Sequence, residues 1–264
     1  MKAQLLLAGI AFGLAGISAC TGHQSNSEEK TVDIWKDYPV GYIVFDDQAP
    51  ETEGSKVYHR IVTHPQDYIA EQARTVLATL YDAPSDSIVP VDTIHYSLQD
   101  IEGVSAKDGG NGVVSIFYST RHIEKSFAAN DTAKLFFETR GVLLHELTHA
   151  YQLEPQGIGS YGTNRVFWAF IEGMADAVRV ANGGFTPADR PKGGSYMDGY
   201  RTAGYFFVWL KENKDKDFLR KFNRSTLEVV PWSFDGAIKY ALGNEYDIDS
   251  LWHEYQVAVG DIQE

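Results

Sequence analysis

Residues 141–152 read GVLLHELTHAYQ, and the spacing of three side chains within them decides how the rest of the chain is understood. His145 and His149 stand four residues apart, and Glu146 follows the first directly. On an α-helix, positions i and i+4 lie one turn apart on one face, so the two imidazoles point the same way. Neutral imidazoles so placed offer two ligands to a tetrahedral Zn²⁺. The glutamate beside them stands close enough to take a proton from an attacking water, which is the logic of the H-E-x-x-H pattern. An ordinary amphipathic helix would turn these polar residues to solvent. Here Leu143, Leu144, Leu147 and Ala150 surround them, which predicts an embedded helix whose polar groups need internal partners.

The chain has 264 residues, enough for one sizeable core, and its 44% hydrophobic and 13% aromatic content is that of a folded protein. Thirty-six acidic residues against 23 basic ones give a net charge of −13, which argues against nucleic acid as a partner. The start reads as a targeting segment. Lys2 supplies the charge, residues 5–14 the apolar run, and Ile17-Ser18-Ala19-Cys20 a small-residue processing site resembling a lipobox. The apolar run is too short for a permanent membrane span. Residues 1–19 are therefore expected to be a signal peptide, and Cys20, the single cysteine, to carry lipid. Residues 20–32 read as lipidated Cys and flexible tether, and 33–264 as one domain without cysteine.

Along that domain the first part is mixed. A short strand is expected at 42–45, a turn-rich stretch at 46–54, a helix at 65–81, and strands at 91–98 and 113–119 separated by the turn signal DGGNG. The strand at 113–119 has the composition of an edge that would pair with an extended peptide, although an internal strand would look the same. From about residue 131 the chain reads as helical. Asp131 caps a helix reaching about 153, a second runs over 164–181, and others follow at 195–212, 215–223, 233–242 and 248–257.

Two histidines leave zinc under-ligated. The metzincin continuation would need Gly at 152 and His at 155, where the chain has Gln152 and Pro155. Glu172, on the next expected helix within FIEGMAD, is the better third ligand. Asp176, one turn further, is placed to accept the remaining ring N–H of His145 and so fix its tautomer. Oxyanion stabilisation needs a further donor, for which Tyr200 and Tyr205 are the candidates by position, Tyr200 first. His122 reads as a surface residue.

The segments RGVLLHELTH (140–149, with Gln152 following) and FIEGMADAVR (170–179) resemble the basic secretory protein family of plants and bacteria. Looser similarity runs from about residue 42 to 256, through Phe45-Asp46, Ala49-Pro50, Gly184-Phe185, Tyr200 to Ala203 and Leu251-Trp252. The resemblance implies an α+β, zincin-like metallopeptidase fold of the gluzincin type, with a small mixed sheet in the N-terminal half and a mainly helical C-terminal half. It implies one Zn²⁺ per chain on His145, His149 and Glu172, Glu146 as the base and Asp176 behind His145. The chain departs from the family's name in being acidic.

Together these readings lead to an expected zinc metallopeptidase, lipid-anchored at the bacterial cell envelope through Cys20 and acting on a peptide or protein substrate. The alternative is a surface lipoprotein that binds peptide or glycan without catalysis, against which the presence of Glu146 weighs. A purely structural zinc site would favour a closed, cysteine-rich cage, and the expected domain has no cysteine.

Overall fold

Alternating side chains build the sheet of the N-terminal half. In β2 (Thr93–Gln99) Ile94, Tyr96 and Leu98 are buried, and in β4 (Val113–Ser119) Val114, Ile116 and Tyr118 are, so each strand presents one apolar face. The structure, a computed structural model, describes residues 33–263. The expected signal peptide (1–19), Cys20 and tether (20–32) lie outside the described residues. β1 (Tyr42–Asp47) and β4 flank β2 in parallel, and β3 (Ser105–Gly110) lies antiparallel against β4, giving the order β1-β2-β4-β3.

Helices α1 (Glu53–Ile61) and α2 (Pro65–Leu80) connect β1 to β2. Tyr58 of α1 stacks on Phe45 and Tyr96 with ring centroids 5.8 and 6.5 Å away, closing the apolar face of the sheet. A short α3 (Thr120–Ser126) leads to the long α4 (Thr132–Tyr151), which Asp131 caps by accepting from Lys134 N at 2.9 Å. Three hydroxyls tie α4 to its surroundings. Tyr118 of β4 lies 3.3 Å from Thr139, Tyr151 donates to the Val40 carbonyl at 2.7 Å, and Tyr81 donates to the Tyr151 carbonyl at 2.6 Å.

The C-terminal half is helical. It contains α5 (Arg165–Ala181), α6 (Tyr200–Asn213), α7 (Phe218–Glu228), α8 (Phe234–Leu242) and α9 (Ile248–Ala258), with short 3-10 turns at Pro187–Asp189 and Tyr196–Asp198. Phe170 of α5, Phe207, Phe222, Trp232 and Phe234 meet edge to face or tilted at 4.7–6.2 Å, and this aromatic cluster packs the helices together. The protein is thus mixed α+β, with a four-stranded sheet in the N-terminal half and nine α-helices among the described residues. None of these helices is long and apolar enough to cross a membrane.

Four local expectations are decided or corrected by the structure. The strand at 113–119 is internal, between β2 and β3, and the outer strand on that side is β3. The DGGNG stretch is part strand and part turn. Asn111 and Gly112, at φ 51° and 81°, form the tight turn, while Asp108 to Gly110 continue β3 without the side chains that mark a strand. The stretch at 46–54 begins as the end of β1 and ends as the first residues of α1, capped by Thr52, whose side chain accepts from Ser55 N at 3.2 Å. The helix expected at 195–212 is interrupted at Gly199 and Tyr200, both with positive φ.

The C-terminal tail is pinned by Asp261. Its carboxylate accepts from both terminal nitrogens of Arg190 at 2.7 and 2.8 Å and from Gly193 N at 2.9 Å. The Arg190 guanidinium holds the Asp261 carboxyl down at about 2, against a smaller opposing effect of burial. A carboxyl lowered on folding contributes stability above its unfolded value of about 4, and loses it as the pH falls through its folded value. Asp261→Asn is expected to cost about 1 kcal/mol at neutral pH, a fall of roughly 2–4 °C in Tm. Thermal melts of both proteins should converge as the pH is lowered toward about 2. A difference that stays constant down to that pH would refute this account.

Candidate active site

The helix pair α4–α5 positions the site. Glu138 of α4 meets Arg179 of α5, His145 meets Asp176, and His149 faces Glu172, so one helix number rises as the other falls and the two run antiparallel. At the far end of this pairing the Arg179 guanidinium donates to Glu138 at 2.7 Å and to the Gly184 carbonyl at 2.9 Å, and covers the Phe185 ring at 3.8 Å. His122, expected at the surface, is partly buried there and lies 2.9 Å from the other Glu138 oxygen. It belongs to the frame that aligns the helices. Tyr205 is also elsewhere, its hydroxyl donating to the Thr186 carbonyl.

The pairing brings three atoms to one point. His145 Nε2 and His149 Nε2 are 3.0 Å apart, and Glu172 Oε2 lies 3.4 and 3.6 Å from them. Glu172 is only 3% exposed, and its Oε2 is buried with no hydrogen-bond partner. The partners behind the rings explain why. His145 Nδ1 is 2.7 Å from Asp176 Oδ1, an acceptor, so the proton of a neutral His145 sits on Nδ1 and a lone pair on Nε2.

His149 Nδ1 is 2.8 Å from the amide end of Gln152, whose other amide atom, Oε1, is buried without a partner. A half-turn of that amide lets Oε1 accept from His149 Nδ1–H and leaves a second lone pair at Nε2. Three lone-pair atoms then face one another with no proton between them. Burial alone would make such an arrangement costly.

A cation resolves it. Around tetrahedral Zn²⁺ with bonds of about 2.0–2.2 Å, neighbouring ligand atoms stand roughly 3.3–3.6 Å apart, close to the three separations seen here. His145, His149 and Glu172 are thus the residues that could hold a metal ion, and they form such a group with all ligand atoms within 4.8 Å. Without metal, a proton serves instead. Burial disfavours charge on His145, but the carboxylates of Asp176 and Glu172 outweigh it and raise its pKa to about 10. Burial likewise disfavours charge on Glu172, and the two histidines reverse that and hold its carboxyl well below the usual range.

A cleft of about 330 Å³ opens over this point. Ser105, Ala106 and Lys107 of the outer strand β3 form one wall, Phe167 and Ile171 of α5 another. Glu146 lines the cleft, is 6% exposed, and makes no hydrogen bond or ion pair among the described residues. Tyr200 stacks over His145, with ring centroids 6.0 Å apart and planes 13° from parallel. It reaches this place through strained backbone, at φ 42°, after Gly199 at φ 63°. A Cβ on Gly199 would stand 2.8 Å from the Trp168 ring and 3.3 Å from Glu172 Cβ, so the approach to the site requires glycine.

Sequence reasoning missed Tyr161, whose hydroxyl donates to Glu172 Oε1 at 2.5 Å. The available signal was its place in a glycine-rich loop just ahead of Asn164, the cap of the helix that carries Glu172.

With this geometry in hand, comparison with known families gives one match. The BSP family, described as "Peptidase of plants and bacteria", matches residues 42–255. No curated protein matches the chain.

The raised pKa of His145 has a measurable consequence. In metal-free protein the His145–carboxylate contacts contribute stability that is complete below the ordinary histidine value of about 6.5 and is lost as the pH rises through about 10. His145 followed by NMR should titrate near 10 in the metal-free protein. Asp176→Asn should move that titration down toward the ordinary value and weaken metal binding about 10–100-fold. An unchanged titration in the variant would disprove the role given to Asp176.

Proposed function

The chain belongs to the BSP family of plant and bacterial peptidases, and from that premise we propose a zinc-dependent metallopeptidase of zincin-like fold. In this reading His145, His149 and Glu172 hold one Zn²⁺ per chain and Glu146 is the general base. The observation that carries it is the convergence of three lone-pair atoms beside the unpartnered Glu146 carboxylate at the floor of a cleft. When bound, zinc supplies Lewis-acid polarisation of the scissile carbonyl and makes water nucleophilic near neutral pH.

The remaining work falls to the chain's own groups. Glu146 takes the proton of the attacking water and delivers it to the leaving amine. Asp176 keeps the His145 proton on Nδ1. Tyr200 donates a hydrogen bond to the oxygen on which charge develops. Its hydroxyl stays protonated as this requires, because burial and the nearby carboxylates of Glu172, Asp176 and Glu146 raise its pKa. The outer edge of β3 receives the substrate, an extended peptide or protein segment that adds to the sheet as a further strand.

The site in the cell follows from the N-terminal residues. Lys2, the apolar run at 5–14 and Cys20 support export and lipid anchoring at the bacterial cell envelope, with Cys20 as the mature N-terminus. Intact-mass analysis of the processed protein should find a diacyl- or triacyl-modified Cys20, and an unmodified N-terminus elsewhere would remove the anchor from this reading.

The chemistry is tested on Glu146. Because it is not among the three converging ligands, Glu146→Gln should keep the fold and about one zinc per chain. Peptide cleavage should fall roughly 10²–10⁴-fold, as for loss of a general base. Metal content, peptide binding and cleavage of a peptide library would be measured in parallel on wild type and variant. Zinc-loaded wild type that binds peptides but cleaves none would replace the peptidase by a binding lipoprotein on the same fold.

A further inference from the structure

The two oxygens of Glu172 are treated differently by their surroundings. Oε2 faces His145 Nε2 and His149 Nε2 at 3.4 and 3.6 Å and has no hydrogen bond. Oε1 accepts the hydroxyl proton of Tyr161 at 2.5 Å, the short distance of a phenol donating to a charged carboxylate. A carboxylate ligand can bind a cation through one oxygen or both, and nothing in α5 itself chooses between them. We propose that Tyr161 is a positioning residue of the metal site, engaging Glu172 Oε1 so that only Oε2 is presented to the metal and one coordination position stays open for reaction. The inference rests on the metal-site reading above.

The loop that carries Tyr161 is built to place it. Its start is fixed where Trp232 N donates to the Gln156 carbonyl at 2.9 Å. Its end is fixed where the Ser160 carbonyl accepts from Thr163 N and Asn164 N, both at 3.0 Å. Asn164 joins the two parts. Its Nδ2 donates to the Ile158 carbonyl at 2.6 Å, while its Oδ1 caps α5 by accepting from Val166 N and Phe167 N at 2.7 and 3.3 Å.

The residue that caps the helix carrying Glu172 therefore also shapes the loop that brings Tyr161 to it. Tyr161 itself is 47% exposed, so the core does not demand an aromatic ring here, yet the phenol is turned inward to the carboxylate.

The open position matters because a catalytic zinc keeps three protein ligands and one exchangeable site, whereas a second carboxylate oxygen would compete for that place. The test uses the full chain, wild type and Tyr161→Phe, which keeps the ring and removes only the hydroxyl. Three measurements are made. The first is the thermal melt without metal, the second zinc affinity by competition with a chromophoric chelator. The third is the visible absorption of the Co²⁺-substituted protein, which weakens as cobalt passes from four to five ligands.

The expected result is a cooperative melt lowered by only a few degrees for the lost hydrogen bond, a zinc affinity lower by about 10–100-fold, and a weaker cobalt band as Oε1 becomes free to bind. Unchanged zinc affinity together with an unchanged cobalt band would overturn the proposal while leaving the metal site and the peptidase reading intact. Conversely, wild type that binds zinc and shows the Tyr161 effect but cleaves no peptide would sink the peptidase reading alone. Wild type that binds neither zinc nor cobalt would overturn both.

Discussion

Three lone pairs directed at one buried point are the constraint on which this structure turns. His145 Nε2, His149 Nε2 and Glu172 Oε2 stand within 3.0–3.6 Å of one another, where neutral donors and acceptors cannot satisfy them. Left alone, side chains so arranged would turn away or take up a proton. They stay because each is held from behind: Asp176 fixes one ring, Gln152 the other, and Tyr161 the carboxylate. Held so, the three atoms need a positive charge between them, a proton on His145 in the metal-free protein or a metal ion, and that is the physical signature of a place for a cation.

The rest of the fold supplies the stiffness this requires. α4 and α5 must keep their register, since a slide of one residue, about 1.5 Å, would part His145 from Asp176. The Arg179–Glu138–His122 contacts pin the pair at one end, with burial of the Glu138 carboxylate offset by the two cations or donors beside it. The opposite end is fixed by Tyr81 and Tyr151, whose hydroxyls tie α4 to α2 and to the segment before β1. Behind α5, the Phe170, Phe222 and Trp232 rings leave it no room to shift. Preorganisation of this kind is what lets the groups around a reaction act without reorganising during it.

The cleft is asymmetric in a way that suits a chain-like ligand. One wall comes from Ser105, Ala106 and Lys107 of β3, the outermost strand on that side among the described residues, and the other from Phe167, Ile171 and Tyr161. In the proposed reading the free edge of that strand would pair with a peptide backbone and the apolar wall opposite would select among its side chains. Tyr200, a bulky residue held at φ 42°, lines the same opening, so strained backbone sits where the chemistry would be.

Much of this was legible in the sequence because it depends on short-range periodicity. The i, i+4 spacing of His145 and His149, and of Glu172 and Asp176, fixes which side chains share a helix face whatever the fold around them. The Asp131 and Asn164 caps fixed where those helices begin. The strands expected at 91–98 and 113–119 were legible as β-type runs, and the structure places them at 93–99 and 113–119. What the sequence could not carry was anything that depends on strands or loops meeting across space.

Gly109 and Gly110 have no side chains to signal a strand, so β3 was hidden in a turn and whether the strand at 113–119 was edge or internal stayed open. The break at Gly199-Tyr200 looks like helix by composition, and the close approach of Gly199 to Trp168 and Glu172, which leaves no room for a Cβ, is visible only in the folded chain. Tyr161 is an exposed loop residue until the loop folds back over α5. Local spacing determined which residues face together along a helix. Tertiary structure alone decided which faces meet, because that is set by the packing of distant segments and not by the period of any one of them.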